Sequence, residues 1–556
     1  MSGISILLDT TWLTTAIKTL NSWVWSPALV ALCLLTALYF SIRTRLVQVR
    51  RFREMCRLLF STDKKQKTGI SSFQAFAMAL SGRVGTGNIV GVATAIGFGG
   101  PGAIVWMWVI AFFGAGSAFV EATLAQIYKE NHNGQFRGGP AYYIEKGLRS
   151  PLFGSLFAII AAIACGFFMP PVQCNGIAIS MSDTFGVAPW IVGTGVALLI
   201  ALVIIGGVKR IAQVAQIIAP FMAIIYIILS IVVIAVNYKM VPDVFMEMLR
   251  GAVGASQVGS AILGSTIAWG VKRGIYSNEA GQGTGPIVAA AAKVSHPVKQ
   301  GLVQAFSVYI DTLLVCTATA LMILACNTYN IIDQIQDLPS GEKIITYHIE
   351  NPSAPKGEPG VLYTSNALAT VIGSKTADTV IEPPSADIEK KPTPAGMVIS
   401  IALFFFAFTT IMAYYYYAET NLVYLFSRFR TRRLSKHKKS MNTIEAMEAE
   451  ANCKRANEVF GDDRSEKAAI WVLRILTIMS VFLGSTTGSG VAWTLGDIGV
   501  GAMAWINLVA ILLLSPKALR ALKDYEQAKR RGEEPHFDAE RLKIEGADFW
   551  KETPKQ

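Results

Sequence analysis

Eleven stretches of this chain are apolar over enough residues to be read as membrane-crossing helices. They run at roughly 26–42, 71–97, 101–128, 152–182, 188–206, 211–237, 256–292, 301–326, 395–426, 468–486 and 491–514. A helix needs about 20 mostly apolar residues to cover the hydrocarbon core, and most of these runs meet that length without a strict helical stripe of polar positions. The expected class is an all-α polytopic membrane protein. Residues 1–23 lack the basic start and small-residue cleavage site of a signal peptide. They predict a short amphipathic segment, Ile4 to Leu20, lying at an interface. The first full span follows Ser26, with Pro27 suited to a first helical turn.

Composition supports the reading. The 556 residues are 52% hydrophobic and only 16% charged, against about 25% charged in soluble domains. The net charge of +12 is not spread as a nucleic-acid surface would be; the cations cluster beside apolar runs. Residues 43–67 hold nine Lys/Arg against Glu54 and Asp63. Placing that segment inside also places Lys129, Arg137, Lys146, Arg149, Lys209, Arg210, Lys293, Lys299 and the basic run from Arg428 to Lys439 inside, as the positive-inside rule requires. The N-terminus is then outside and the C-terminus cytoplasmic, in a cell membrane. The outside loop 327–395 carries nine acids and five lysines and is rich in proline, with a short helix expected at Tyr363 to Ile372. The insert 428–467, with a helix expected at Thr443 to Val459, and the tail 515–556 read as solvated cytoplasmic connectors. Seven scattered cysteines give no C-x-x-C pair, and the five histidines fall in loops or tails. That pattern speaks against a zinc site, a disulfide framework or a membrane enzyme with a histidine base. No filter sequence of a channel is present.

Two spans are interrupted by polar, glycine-rich sequence. The second contains Ser81-Gly-Arg-Val-Gly-Thr-Gly-Asn88, and the seventh contains Trp269-Gly-Val-Lys-Arg-Gly-Ile-Tyr-Ser-Asn-Glu-Ala-Gly-Gln-Gly-Thr-Gly285. Non-helical backbone at membrane depth survives only against protein or a water-lined cavity. Setting the first span aside, the breaks fall in the first and sixth of ten helices. Matching interruptions in two five-helix halves point to a carrier with inverted repeats and a midplane site. The expected organisation is an extra helix at 26–42, a first five-helix repeat at 71–237 and a second at 256–514. The half-helix starting at Thr86-Gly87-Asn88 presents N–H groups and a partial positive charge suited to a carboxylate. Freed carbonyls near Ser81 and Val84 suit Na⁺ or an ammonium group. A zwitterionic amino acid beside Na⁺ matches both polarities. The Gly85-x-Gly87 pattern is no dinucleotide loop, since no acid follows until Glu121. Glycines for close helix packing are the competing reading of either motif.

These residues carry a resemblance to the alanine/glycine:cation symporter family, and within it to sodium:alanine carriers of bacteria. The matching stretches are Asn21 to Trp25, Ser81 to Val92, Gly99 to Trp108, Gly134 to Pro140, Ser277 to Gly281, Asp311-Thr312, Phe406 to Thr410 and Leu514-Ser515. The resemblance implies a leucine-transporter-type fold of two inverted five-helix repeats with one extra helix in front. It implies Na⁺-coupled import of a small neutral amino acid by alternating access, with no enzyme activity and no obligate protein partner. A carrier for glutamine or serine, or one driven by protons, is the alternative. It further implies that Val84, Gly85, Thr86, Gly87 and Asn88 receive the carboxylate, that Gln173 is a polar substrate contact, and that Trp269 and Gly270 line the opposite face. Thr409 and Thr410 would complete a sodium site with carbonyls of Ser81 and Val84. Tyr414 stands where some relatives have tryptophan, and Ala413 where they have glycine. Ionisable groups at membrane depth are functional candidates by default. Glu121 is expected to support the second broken helix. Asn278 and Glu279 belong to that break, Glu279 at a cytoplasmic vestibule near Lys272 and Arg273. Arg83 is open to snorkelling, pairing with an acid or gating. The aromatic run Tyr414 to Tyr417 reads mostly as packing.

Overall fold

A computed structural model describes residues 10–60, 69–132, 134–255, 259–337, 343–352, 354–372, 392–438 and 464–552. The protein is a helical bundle with two small antiparallel hairpins outside it, Glu130–His132 with Gln135–Arg137 and Ile331–Asp337 with Lys343–Ile349. Among the described residues, eight helices are long and apolar enough to cross a membrane: Thr14–Arg43, Gly102–Ile127, Pro151–Phe185, Gly207–Val236, Pro297–Ala325, Pro394–Arg430, Arg464–Thr486 and Ser489–Arg530. Three further expected spans fall short because two are broken and one, Pro189–Ile204, is brief. Large apolar side chains point outward along the peripheral helices, with Leu198, Leu202, Ile217 and Phe221 each 60% exposed or more. A contiguous apolar outside of that extent belongs in lipid, not in water.

Local sequence explains where the helices begin. Proline occupies the first turn of the helices starting at Pro27, Pro151, Pro189 and Pro297, where its missing N–H costs nothing. Ser71 and Gln74 form a reciprocal capping box at the start of Ser72–Arg83. The amphipathic segment forms helix Thr10–Val24, turns at Ser26 and continues as Pro27–Arg43. The part of that expectation at residues 4–9 lies outside the described residues, as does the helix expected at Thr443 to Val459.

The second expected span is broken where the sequence places the break. Helix Ser72–Arg83 ends at Val84, whose ψ of 91° is extended, and the chain resumes as a π-helical turn Gly87–Gly91 and helix Val92–Gly99. The seventh is broken only in the last part of its expected stretch. Helix Gly259–Asn278 runs without interruption through Trp269, Gly270 and Gly274, and the break sits later, from Glu279 to Thr284, before helix Gly285–Ala291. The physical reason is packing. A Cβ on Gly270 would lie 2.5 Å from the Ala103 carbonyl and from Trp106 Cβ, and one on Gly274 would strike Ile110. These glycines let the helix press against Gly102–Ile127, while Glu279, Gly281 and Gly283 take the positive φ values, 56°, 84° and 95°, that end it.

Two connectors also differ from expectation. Loop 327–395 holds the second hairpin, in addition to helix Val361–Ile372. The tail is packed and not merely solvated. Ser489–Arg530 stays helical past Pro516, and the chain beyond it folds back over the bundle end. Phe537 N donates to Ser295 O at 3.1 Å and Trp550 Nε1 to Gln126 O at 3.0 Å. Glu545 pairs with Arg149 and Asp548 with Lys146. Phe136, Phe549 and Trp550 enclose the buried Lys129 ammonium within 5.2 Å of each ring centroid, and burial pushes its pKa well down.

Candidate functional site

The first break frees backbone groups that an intact helix would consume. Gly85 N, which would donate to Ser81 O in an α-helix, donates instead to Asn88 Oδ1 at 2.8 Å. Asn88 N reaches back three residues to Gly85 O, leaving Val84 O without its usual donor. Thr86 N donates across the bundle to Gln173 Oε1 at 3.0 Å. Ser81 O and Val84 O then converge on Thr410 Oγ1, at 2.8 and 3.2 Å, and Phe406 O lies 2.9 Å from the same hydroxyl. One hydroxyl has one proton, so it serves only one of three carbonyls. A cluster of carbonyl dipoles and a hydroxyl, with no anion, is the donor set of a hard monovalent cation. Thr409 behaves differently. Its hydroxyl bonds Phe405 O and Phe406 O on its own helix, both at 3.0 Å, the back-bonding typical of threonine within a helix.

Beside the break stands Thr86 Oγ1, buried with no protein partner, and next to it the Tyr276 hydroxyl meets the buried Gln173 side chain. Tyr276 lies against the break, since a Cβ on Gly87 would sit 3.4 Å from its ring. Buried donors left unpaired carry a free-energy cost that a bound acceptor relieves. Hydroxyls and an amide N–H around a helix start suit a carboxylate. Asn88 itself is fully engaged: it caps Gly85 N and donates to Asp311 Oδ1 at 2.7 Å.

The second break meets the first. Ser277 donates to Asp311 at 2.8 and 3.0 Å, and Tyr417 OH, which fills the space beside Gly82, donates to Glu279 Oε2 at 3.3 Å. Glu121 accepts from Gly281 N at 3.3 Å and from Asn507 Nδ2 at 2.9 Å, and the same Asn507 amide reaches Gly281 O at 2.9 Å. Asn278 Oδ1 accepts from Ala280 N at 2.9 Å. The expected vestibule position of Glu279 is corrected: it is fully buried, and Lys272 and Arg273 pair with Asp497, at 2.6 and 3.1 Å. Arg83 neither snorkels nor forms an ion pair. It is buried, with Nη1 bonded to Ser307 and to Gln304 O at 3.3 Å, while Nε and Nη2 have no partner.

Of the expected site residues, Ser81, Val84, Gly85, Thr86, Gly87, Asn88, Gln173 and Thr410 come together. Trp269 and Gly270 do not join them. Trp269 stacks on Phe98, centroids 4.7 Å apart, and shares the Arg273 guanidinium with Tyr276 and Trp493. Tyr414 is buried in the same bundle, 6.0 Å from the Tyr417 ring. Sequence reasoning missed Tyr276, Tyr417 and Asp311 as parts of the junction. Asp311 was findable, as an acid inside an apolar span.

A polytopic bundle whose two broken helices meet at a buried polar junction defines a membrane carrier. The pattern of the sodium:alanine symporter family matches residues 10–444 and 452–539. YrbD of Bacillus subtilis is 47% identical over 534 residues, covering 96% of this chain and 97% of that one. A sodium/proton-dependent alanine carrier protein of Bacillus sp. strain PS3 is 42% identical over 90% of this chain and 97% of its own length. The sodium/alanine symporter AgcS of Methanococcus maripaludis is 32% identical over 92% and 97%. Among solved structures, a Na⁺-coupled sialic acid symporter covers 96% of both chains at 13% identity and a TM-score of 0.43, too distant to argue from. The chain belongs to the sodium:alanine symporter family and is a transporter, not an enzyme.

Proposed function

We propose that this protein imports alanine or glycine together with Na⁺ by alternating access. It does so on two inverted five-helix repeats, 71–237 and 256–514, with one extra helix in front, eleven spans in all. The carboxylate is taken by the Thr86 hydroxyl with Gln173 and Tyr276, and Na⁺ by Ser81 O, Val84 O and the Thr410 hydroxyl. The carrying observation is the convergence of the two freed carbonyls on Thr410. The basic loops set the N-terminus outside and the C-terminus in the cytoplasm. One Na⁺ crossing 100 mV supplies about 2.3 kcal/mol, and a tenfold Na⁺ gradient about 1.4 kcal/mol more. Together these sustain roughly 500-fold accumulation of a neutral solute.

The test is uptake and counterflow of labelled glycine, alanine, serine and glutamine in reconstituted vesicles, with and without Na⁺. Na⁺-stimulated alanine and glycine exchange, lowered at least tenfold in Gln173→Ala, is the expected result. Exchange of glutamine in preference to alanine, or uptake indifferent to Na⁺, would refute the assignment.

A further inference from the structure

The chain that follows the first full span carries two populations of arginine. Arg50 and Arg51 are neutralised from within the protein: Arg50 pairs with Glu526 at 2.7 Å and Arg51 with Glu54 at 3.3 Å. Both acids are then engaged, since Arg51 also reaches Glu526 and Tyr525 OH donates to Glu54 at 2.6 Å. Arg43, Arg45, Arg53 and Arg57 are exposed, and none of them pairs with an acid among the described residues. These guanidiniums stand at the edge of the apolar belt, where an anion is the partner they lack.

Apolar surface leads up to them. On Pro27–Arg43, the side chains of Leu35, Leu38, Tyr39 and Ile42 recur at helical spacing and are between 38% and 64% exposed, so they form one outward stripe. The Arg43 guanidinium closes that stripe, 5.9 Å from the Tyr39 ring centroid. Beyond the turn, helix Phe52–Leu59 buries Met55, Leu58 and Leu59 and leaves Phe52, Arg53 and Arg57 exposed, with the exposed Phe60 just past its end. Basic and aromatic residues sharing one exposed face are the mark of a helix lying in the headgroup layer.

The turn between the two helices is strained in a way that packing does not explain. Arg45 and Leu46 take φ of 55° and 51° in succession, a conformation that costs L side chains backbone energy and that glycine adopts freely. It is held from the inner side, where Leu46 N donates to Ser41 O at 2.7 Å and Arg50 to Thr44 O and Arg45 O at 3.1 and 3.2 Å. Side chains kept at such positions concentrate at ligand clamps. Both are exposed here, so what they serve lies outside the chain.

We propose that this elbow binds an anionic phospholipid. Arg43 and Arg45 clamp the phosphate, and the stripe from Leu35 to Ile42 receives an acyl chain. Arg53 and Arg57 favour a headgroup of net negative charge and repel one that carries an ammonium. The inference requires only that the spans cross a bilayer, and it holds whichever face of the membrane the elbow meets.

Native mass spectrometry of the delipidated full-length protein, titrated with dioleoyl phosphatidylglycerol or dioleoyl phosphatidylcholine, gives the affinity of the tightest lipid. Phosphatidylglycerol is expected to bind in preference. Removing two cations near the headgroup, in Arg43→Gln with Arg45→Gln, should weaken it roughly 30-fold. Lys239→Gln, which removes an exposed cation elsewhere, should leave it unchanged. Equal affinity for the two lipids in the wild type, or an undiminished preference in the double variant, overturns the proposal. So does displacement of the lipid by an equal concentration of inorganic phosphate, which would give the arginines to a free anion. The wild-type comparison decides even where the double variant does not fold.

Discussion

Thr409 and Thr410 are adjacent, chemically identical and both buried, yet the structure assigns them opposite importance. Thr410 Oγ1 bridges Ser81 O and Val84 O across helices, whereas Thr409 Oγ1 returns to its own helix. In Thr410→Ala the two foreign carbonyls lose their hydroxyl neighbour, and a cation between them loses a ligand. Leaving a buried polar group unserved costs about 1–3 kcal/mol, which converts to a roughly 5- to 150-fold rise in the half-saturating Na⁺ concentration. In Thr409→Ala the hydroxyl lost was bonded to carbonyls that already serve helical N–H groups, so the shift should stay within about threefold. The assay is alanine uptake against external Na⁺ in proteoliposomes, with reconstituted protein quantified so that expression does not enter. Maximal uptake at saturating Na⁺ should be similar in both variants. Equal Na⁺ shifts in the two, or a shift confined to Thr409→Ala, would refute the assignment of the ion to the Ser81–Val84–Thr410 cluster.

Two other expectations follow from groups outside that cluster. Glu121→Leu strips acceptors from Gly281 N and Asn507 Nδ2, so the purified protein should lose roughly 2–6 kcal/mol of stability. Glu121→Gln, which keeps an acceptor, should lose much less, and similar thermal unfolding of the two variants would contradict the role. At the bundle end, burial pushes His296 below the ordinary imidazole range despite Asp524 beside it. The unfolded imidazole therefore takes up a proton near pH 6.5 that the folded one refuses, and stability is lost as pH falls through that value. Protease protection of the tail should drop between pH 7.5 and 5.5 in the wild type but not in His296→Asn, which keeps a capping acceptor for Val298 N.

Much of the architecture is legible in the chain because membrane helices announce themselves through length and apolarity. The first break is legible too: Gly85 and Gly87 beside Asn88 give both the freedom to unwind and the side chain that caps the unwound turn. The second break falls only at the end of the expected Trp269–Gly285 stretch because glycine has two uses, and sequence does not say which. At Gly270 and Gly274 it serves contact with Ala103 and Ile110; at Gly281 and Gly283 it serves positive φ. Only the neighbouring helix distinguishes them. Tyr417 and Asp311 were obscured for a related reason, since their importance lies in partners 138 and 223 residues away. The tail misled by composition: its balanced charges look solvated, yet Glu534, Glu545 and Asp548 pair with Lys299, Arg149 and Lys146 of the bundle, and Phe549 and Trp550 help enclose Lys129.

One small backbone feature has a mechanical consequence. Ile70, just before the first broken helix, exchanges hydrogen bonds with the end of the second: its N–H reaches Ala291 O at 3.2 Å, and its carbonyl accepts from Lys293 N at 3.1 Å. The half-helices Ser72–Arg83 and Gly285–Ala291 are thereby yoked at their shared end. Moving either half-helix away from the other at that end requires breaking both of these bonds.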